Sequence, residues 1–298
     1  MKLHALSAGP LEAAFATDVG MIGCSLTHRG EELLGQRKGL EAYAATGSTM
    51  GIPLLHPWAN RLGGFSYEAA GRSVEMDPES PRIRADANGL PIHGLVNASP
   101  HWEVVDATST RLVGELDFGA QADLLAQFPF PHLLRLAATL GDDGLTIATT
   151  LESTGESAVP VSFGYHPYLV LPGIPRAEWH VEVPLTQRLV LDERGIPTGS
   201  VEEVEAFDGA LGATTFDDGY SGAGDGTTFA LSGGGRRVEV ELVEGYRFAQ
   251  VYAPPDKGAV CFEPMTAPTD ALRSGRGLDV VPPGASRTAT FAIRVSST

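Results

Sequence analysis

The chain has 298 residues, a mass of 31.3 kDa, 21 Lys and Arg against 37 Asp and Glu, and a formal net charge of −16. That field repels nucleic-acid backbones and anionic membrane surfaces, which excludes both as partners, while 43% hydrophobic and 19% charged residues exclude extensive disorder and leave material for a large core. Cys24 and Cys261 are the only cysteines and have no CxxC spacing, so neither a disulfide framework nor a zinc site is expected and both thiols are expected reduced.

Taken in chain order, MKLHALSAGPLEAAF carries one lysine and no sustained apolar run, so it does not read as a secretory signal. No stretch reaches the roughly 20 apolar residues that span a bilayer, and a cytoplasmic protein is expected. Helix signals are scarce, because 36 glycines and 21 prolines interrupt almost every window of a dozen residues. The stretch LLHPWANRLGG sets Arg61 just after a proline-constrained turn, where a guanidinium presents a fork of donors to hydroxyls or an oxyanion; a structural salt bridge is the alternative. In LPIHGLV, His93 precedes a glycine that permits close approach of another molecule, and the same ring could instead bond a backbone carbonyl.

A short helix is expected around Ala120 to Gln127. Leu133 to Ser153 then reads as two strands joined at Asp142-Asp143-Gly144, with the glycine supplying a positive φ. In VSFGYHPY, Val161, Phe163 and Tyr165 alternate with Ser162 and Gly164 as at the end of a strand, and His166 follows with a proline behind it. Asp217 to Gly226, rich in Asp and Gly, reads as a surface excursion. RRVEVELVEG places Val238, Val240 and Leu242 opposite Glu239 and Glu241, and RTATFAIRV places Ala289, Phe291, Ile293 and Val295 on one face, as half-buried antiparallel strands do. Between them, Glu263 ends the apolar run Val260-Cys261-Phe262, where burial raises a carboxyl pKa unless donors or a cation offset it. Thr269-Asp270 could cap one more short helix.

Many short strands with hardly any helix predict one all-β domain over residues 1–298, a sandwich or barrel rather than alternating βα units. No GxGxxG or GxxxxGK[ST] supports nucleotide chemistry. A base candidate (Glu263), two imidazoles (His93 and His166), a fixed cation (Arg61) and an amide (Gln250) suit proton transfer on a polar, hydroxylated substrate without metal or cofactor.

PWANRLGG, IHGLV, FGYHPY, TFDDGY and CFEPMTAPTDAL follow one another from about residue 51 to 272, and in that order the chain resembles the aldose 1-epimerase family. The resemblance implies a galactose mutarotase-like β-supersandwich, mostly antiparallel with few short helices, and a sugar cleft on one face. It implies Glu263 as general base and His166 as general acid, with Asn60, Arg61, His93, Tyr168, Asp217 and Gln250 holding sugar hydroxyls. It also implies no cofactor, a free hexose such as glucose or galactose as substrate, and a monomer or homodimer. Opposite charges on the acid and base, with Arg61 alongside, would keep the imidazole protonated and the carboxylate ionised.

The chain departs from the family pattern at His56, where phenylalanine is more usual, and at Ala59, where proline is. An extra imidazole lining or flanking the cleft is expected from the first. Two alternatives share the fold. A hexose-6-phosphate 1-epimerase would need further cations, for which Arg82 and Arg84 are candidates although exposed arginines are commonly solvated surface. A non-catalytic carbohydrate-binding domain would lack the acid or the base, and this chain has both.

Overall fold

Apolar and polar residues alternate along His132–Leu140, Gly144–Ser153 and Arg236–Glu244 because one face of each is covered and the other is not, whereas Ser286–Ser297, expected to be half-buried, is buried on both faces from Ala289 to Ile293. Leu134, Leu136, Ala138 and Leu140 are buried, whereas Arg135 and Thr139 are exposed. In the computed structural model, which describes residues 1–297, this strand belongs to a nine-stranded sheet. Its order is Glu103–Ala107, Arg111–Asp117, His132–Leu140, Gly144–Ser153, Ser286–Ser297, Arg236–Glu244, Thr228–Gly233, His180–Val183 and Phe207–Ala210, antiparallel throughout. An eight-stranded sheet runs Pro197–Glu203, Gln187–Leu191, Phe216–Ser221, Phe248–Ala253, Val260–Met265, Gly164–Tyr165 and Leu54–Leu55, with Tyr168–Leu169 also paired to Val260–Met265. A four-stranded sheet, Leu3–Ala8 to Glu31–Glu32, precedes both.

The two large sheets pack face to face through aromatic side chains. Phe229 of the first stacks on Phe262 of the second at 5.2 Å between centroids, Tyr165 lies 4.9 Å from Phe291, and the Tyr165 hydroxyl shares a 2.5 Å hydrogen bond with Thr149 Oγ1. Each such buried ring contributes roughly 1.5–3 kcal/mol, so the interface fixes the eight-stranded sheet and leaves its other face free to line a cleft. Helices occur at Leu40–Thr46, Ala122–Leu125 and Ala271–Ser274 among the described residues; the last two fall where the sequence predicts them, and the first carries no such signal.

Several local expectations fail for identifiable reasons. Gly144 does not have a positive φ; it starts a strand, and a Cβ there would collide with the Ile293 carbonyl oxygen, so the glycine serves close strand approach. The start of the Asp217–Gly226 segment is the strand Phe216–Ser221, whose two acids look like loop residues although Asp217 borders a cleft and Asp218 pairs with Arg188. The VSFGYHPY segment is buried at every position and broken into Val159–Val161, Gly164–Tyr165 and Tyr168–Leu169, so its alternation does not separate a wet face from a dry one. Asp270 does not cap through its side chain. It adopts φ 64°, and its Oδ1 accepts from Gly63 N at 2.7 Å.

His56 lies in the core rather than at a cleft, edge-on to Phe118 and Phe128, with its Nε2 2.8 Å from His132 Nε2. His132 Nδ1–H donates to the Phe130 carbonyl at 2.6 Å, which leaves its Nε2 as an acceptor, so the shared hydrogen belongs to His56. Burial pushes His132 down to about 4 and His56 well below the ordinary imidazole value; the neighbouring His132 adds to the second shift. Both are neutral in the fold and take up protons when it opens. Their contribution is complete above about pH 6.5 and is lost toward pH 4, at up to about 1.4 kcal/mol per pH unit for each ring. His93 and His166, also depressed, add to this trend, and the raised Glu263 opposes it. Urea unfolding between pH 7 and 4 should therefore show a falling midpoint, with a shallower fall in His56→Phe. Equal slopes in the two proteins would contradict the pairing.

Candidate active site

Strand register assembles one wall of the cleft. Glu263 pairs with Gln250, Gln250 with Gly219, and Tyr252 with both Asp217 and Cys261, so these side chains share a face while Phe262 and Val251 point into the core. Asp217 lines the cleft, and Asp218, one residue on, turns away to Arg188 at 3.6 Å. The strand's alternation thus separates two adjacent acids, and Asp217, the one singled out from sequence, is the one at the cleft. Glu263 is 2% exposed; its Oε1 lies 3.2 Å from His166 Nε2, and its Oε2 has no hydrogen-bond partner among the described residues.

His166 is held by the chain around it. Its N–H donates to the Pro53 carbonyl at 3.2 Å, and its ring stacks on Tyr168 at 4.3 Å and 13°. The Tyr168 hydroxyl lies 3.3 Å from His166 Nε2, shares a 2.7 Å bond with Thr49 Oγ1 and accepts 2.8 Å from Arg37. His93 meets His166 edge-on at 5.5 Å. Asn60 and His93 both take positive φ (53° and 67°), and His93 N donates to the Asn60 carbonyl at 2.8 Å. Non-glycine residues in this region are costly and concentrate at functional sites, and here they turn two polar side chains toward one cavity. Arg61 Nε donates 2.7 Å to Asp86 Oδ2 and its terminal nitrogen 3.1 Å to Asn60 Oδ1; Asp86 is itself pinned by the Leu90 and Asn88 amides.

The cleft holds about 190 Å³ and is lined by Asn60, Arg61, His93, His166, Tyr168, Asp217 and Glu263, seven of the eight residues singled out from sequence. That is room for one small ring, below the ~300–1,000 Å³ of drug-sized sites. Gln250 is the exception. It shares the face of Glu263 but is buried and does not line the cleft, and its Nε2 donates to Asp217 Oδ1 at 2.8 Å, so it positions the aspartate. Sequence reasoning missed Arg37, Thr49, Asp86, Tyr252 and Lys257, which also line the cleft; of the two candidate cations Arg82 and Arg84, weighed against solvated surface, Arg84 lines the cleft. Arg37 and Lys257 lie in QRKG and PDKG, contexts that look like ordinary exposed turns. Arg82 behaves as expected of a surface arginine, paired with Asp123 at 2.6 Å.

Charge in the cleft departs from the expected imidazolium and carboxylate. Burial, reinforced by Asp217, holds the Glu263 carboxyl well above the ordinary range, and Arg61 only partly opposes it. Burial, with His93 and Arg37, holds His166 well below its ordinary value. Both shifts work against the ionised forms, so burial favours imidazole and carboxylic acid over the ion pair across the 3.2 Å contact. Burial together with Arg84, Arg61 and Arg37 pushes His93 down to about 3, so it is a neutral donor or acceptor.

This pairing of sheets and this cleft position define a class, the galactose mutarotase-like β-supersandwich. A galactose mutarotase-like protein from Clostridium acetobutylicum superposes with a TM-score of 0.86 at 20% identity, over 99% of this chain and 95% of that one. An aldose epimerase homologue from C. elegans gives 0.81 at 15% over 100% and 99%, and a galactose 1-epimerase from Lactobacillus acidophilus gives 0.77 at 14% over 100% and 99%. At these identities the likeness establishes the fold. The aldose 1-epimerase family model matches residues 21–294, and the chain belongs to that family.

Proposed function

We propose that the protein is an aldose 1-epimerase, an isomerase that interconverts the α and β anomers of a hexopyranose, working as a single domain on a small-molecule sugar. The observation that carries the reading is the contact of His166 Nε2 and Glu263 Oε1 at 3.2 Å on the wall of a cleft sized for one ring. Asn60, Arg61, His93, Tyr168 and Asp217 supply donors and acceptors for hydroxyls around it.

Ring opening needs the O1 proton removed and a proton delivered to O5 as the C1–O5 bond breaks and C1=O1 forms. Carboxylate and imidazolium perform these two transfers on the pyranose, each worth roughly 10²- to 10⁴-fold. They finish as carboxylic acid and neutral imidazole. Rotation about C1–C2 presents the other carbonyl face; the acid then returns its proton to O1, the imidazole takes one from O5, and the ring closes as the other anomer. Both protonation states occur in the cycle, so burial sets which of them rests in the empty cleft, and one proton moving between Glu263 and His166 prepares the other. Hydroxyls entering the cleft, including one donated to the unpartnered Glu263 Oε2, favour the ionised carboxylate.

Exchange between α- and β-glucose resonances in NMR tests this directly, and no enzyme-dependent exchange with any hexopyranose would sink it. Activity requires a pair that holds one proton. A second proton goes on below the ordinary imidazole pKa, because His166 is depressed, and the last comes off above the ordinary carboxyl pKa, because Glu263 is raised. The rate should therefore stay level as pH falls through about 6.5, declining only in more acid solution. A midpoint at the free-imidazole value would show that His166 is not desolvated.

A further inference from the structure

Three cations that line the cleft make no ion pair among the described residues. Arg37 donates to the Thr49 carbonyl at 3.1 Å and the Tyr168 hydroxyl at 2.8 Å, Arg84 to the Gly47 carbonyl, and Lys257 to the Tyr252 hydroxyl at 3.1 Å, all neutral groups. Among the described residues none of them has a carboxylate within ion-pair distance, although the chain carries 37 acids for 21 Lys and Arg. Of the acids in the cleft, Asp86 is taken by Arg61, Asp217 accepts from Gln250, and burial pushes Glu263 toward its neutral form, leaving four cations, Arg61 included, against three acids. In a protein of net charge −16 the cleft is thus a local positive site.

Arg37 and Arg84 are near enough to repel each other, and Arg37 is held at φ 46°. A neutral sugar needs none of this. Its hydroxyls are served as well by Thr49, Tyr168 and Asn60, and like charges gathered without a counter-ion are an expense that only an anion offsets. Their place in the cleft is specific as well. Arg37 bonds the tyrosine stacked on His166, and the Lys257 and Arg37 charges both act on His166, whereas the charges felt by Glu263 are Asp217 and Arg61. If His166 serves the ring oxygen, the cations stand beyond O5, toward the C5 substituent.

Building on the epimerase reading, we propose that the substrate is a hexopyranose bearing an oxyanion at C6, a carboxylate or a phosphate, which Arg37, Arg84 and Lys257 hold. The oxyanion accepts hydrogen bonds from the two guanidinium groups and the ammonium, and seating it fixes which ring atoms face Glu263 and His166.

The test compares enzyme-dependent anomer exchange of glucose, glucuronate and glucose 6-phosphate in the intact protein. One of the two anionic sugars should exceed glucose in kcat/KM by at least about tenfold, with the advantage shrinking in about 0.5 M NaCl. A preference for glucuronate identifies a carboxylate, and a preference for glucose 6-phosphate identifies a phosphate. The double variant Arg84→Gln/Lys257→Gln, at a half-buried and an exposed position, should lower the anionic-to-neutral ratio by about tenfold or more, mainly through KM. Glucose turned over as well as either anion would overturn the C6 oxyanion while leaving the epimerase standing. Exchange of none of the three would overturn both.

Discussion

Glu263→Gln is expected to lower kcat for anomer exchange by roughly 10²- to 10⁴-fold without loosening the fold. The amide matches the carboxyl in shape and can still bond His166 Nε2 across the 3.2 Å contact, so packing among the fully buried Cys261, Phe262 and Met265 is retained. What disappears is the group that exchanges a proton with O1, and with it the single proton that the pair passes back and forth. Stability moves the other way. A carboxyl whose folded pKa stands above its unfolded value weakens the fold as pH rises past the unfolded pKa, a penalty that an amide does not carry. The variant should therefore melt at the parent's temperature or above it at neutral pH, a trade of stability for activity often seen at buried catalytic groups. NMR exchange and a thermal melt on one sample read both halves. A rate within about threefold of the parent would remove Glu263 from the chemistry, and a markedly lower melting temperature would show that its carboxyl serves the fold.

Why some of this is legible in the sequence, and some not, follows from the range of the forces involved. Alternation along Arg236–Glu244 reflects the two faces of a single strand, so local pattern finds it, but the same pattern misjudges Ser286–Ser297, where Thr290 and Ala292 are buried along with Ala289, Phe291 and Ile293 because neighbours in the fold cover both faces. Glu263 stands out because a carboxylate at the end of an apolar run is expensive wherever the strand packs. Arg37 and Lys257 have no such mark, and Arg84 is not told apart from Arg82, because what distinguishes them is an absent counter-charge, which only the fold reveals. His56 misleads for the converse reason. An imidazole near a motif looks functional until His132, 76 residues away, is found bonded to it. Gln250 comes close: its strand and its face are right, but its amide is tied to the Asp217 carboxylate and does not line the cleft.

Gly94→Ala should cost on the order of 4 kcal/mol and lower the melting temperature by roughly 10 °C, a far larger loss than glycine-to-alanine changes in open loops. Gly94 has φ 70°, and an added Cβ would overlap the carbonyl oxygen and carbon of His56 and lie 2.8 Å from its nitrogen, all backbone that cannot swing aside. The His56 carbonyl also accepts from Leu95 N at 2.7 Å, so any retreat breaks that bond. The strained φ alone accounts for only about 1–2 kcal/mol. Gly89 supplies the comparison. It has nearly the same φ, 73°, and a Cβ added there would meet nothing within 4 Å, so Gly89→Ala should show the backbone strain by itself. Because His93 is the residue before Gly94 and is tied to the Asn60 carbonyl, the clash that unseats the glycine also turns the imidazole away from His166. Anomer exchange in Gly94→Ala should fall even at temperatures where the variant remains folded. Equal melting temperatures for the two alanine variants would show that the His93–Gly94 turn is not pressed against His56, and that the cleft wall is held by something other than this contact.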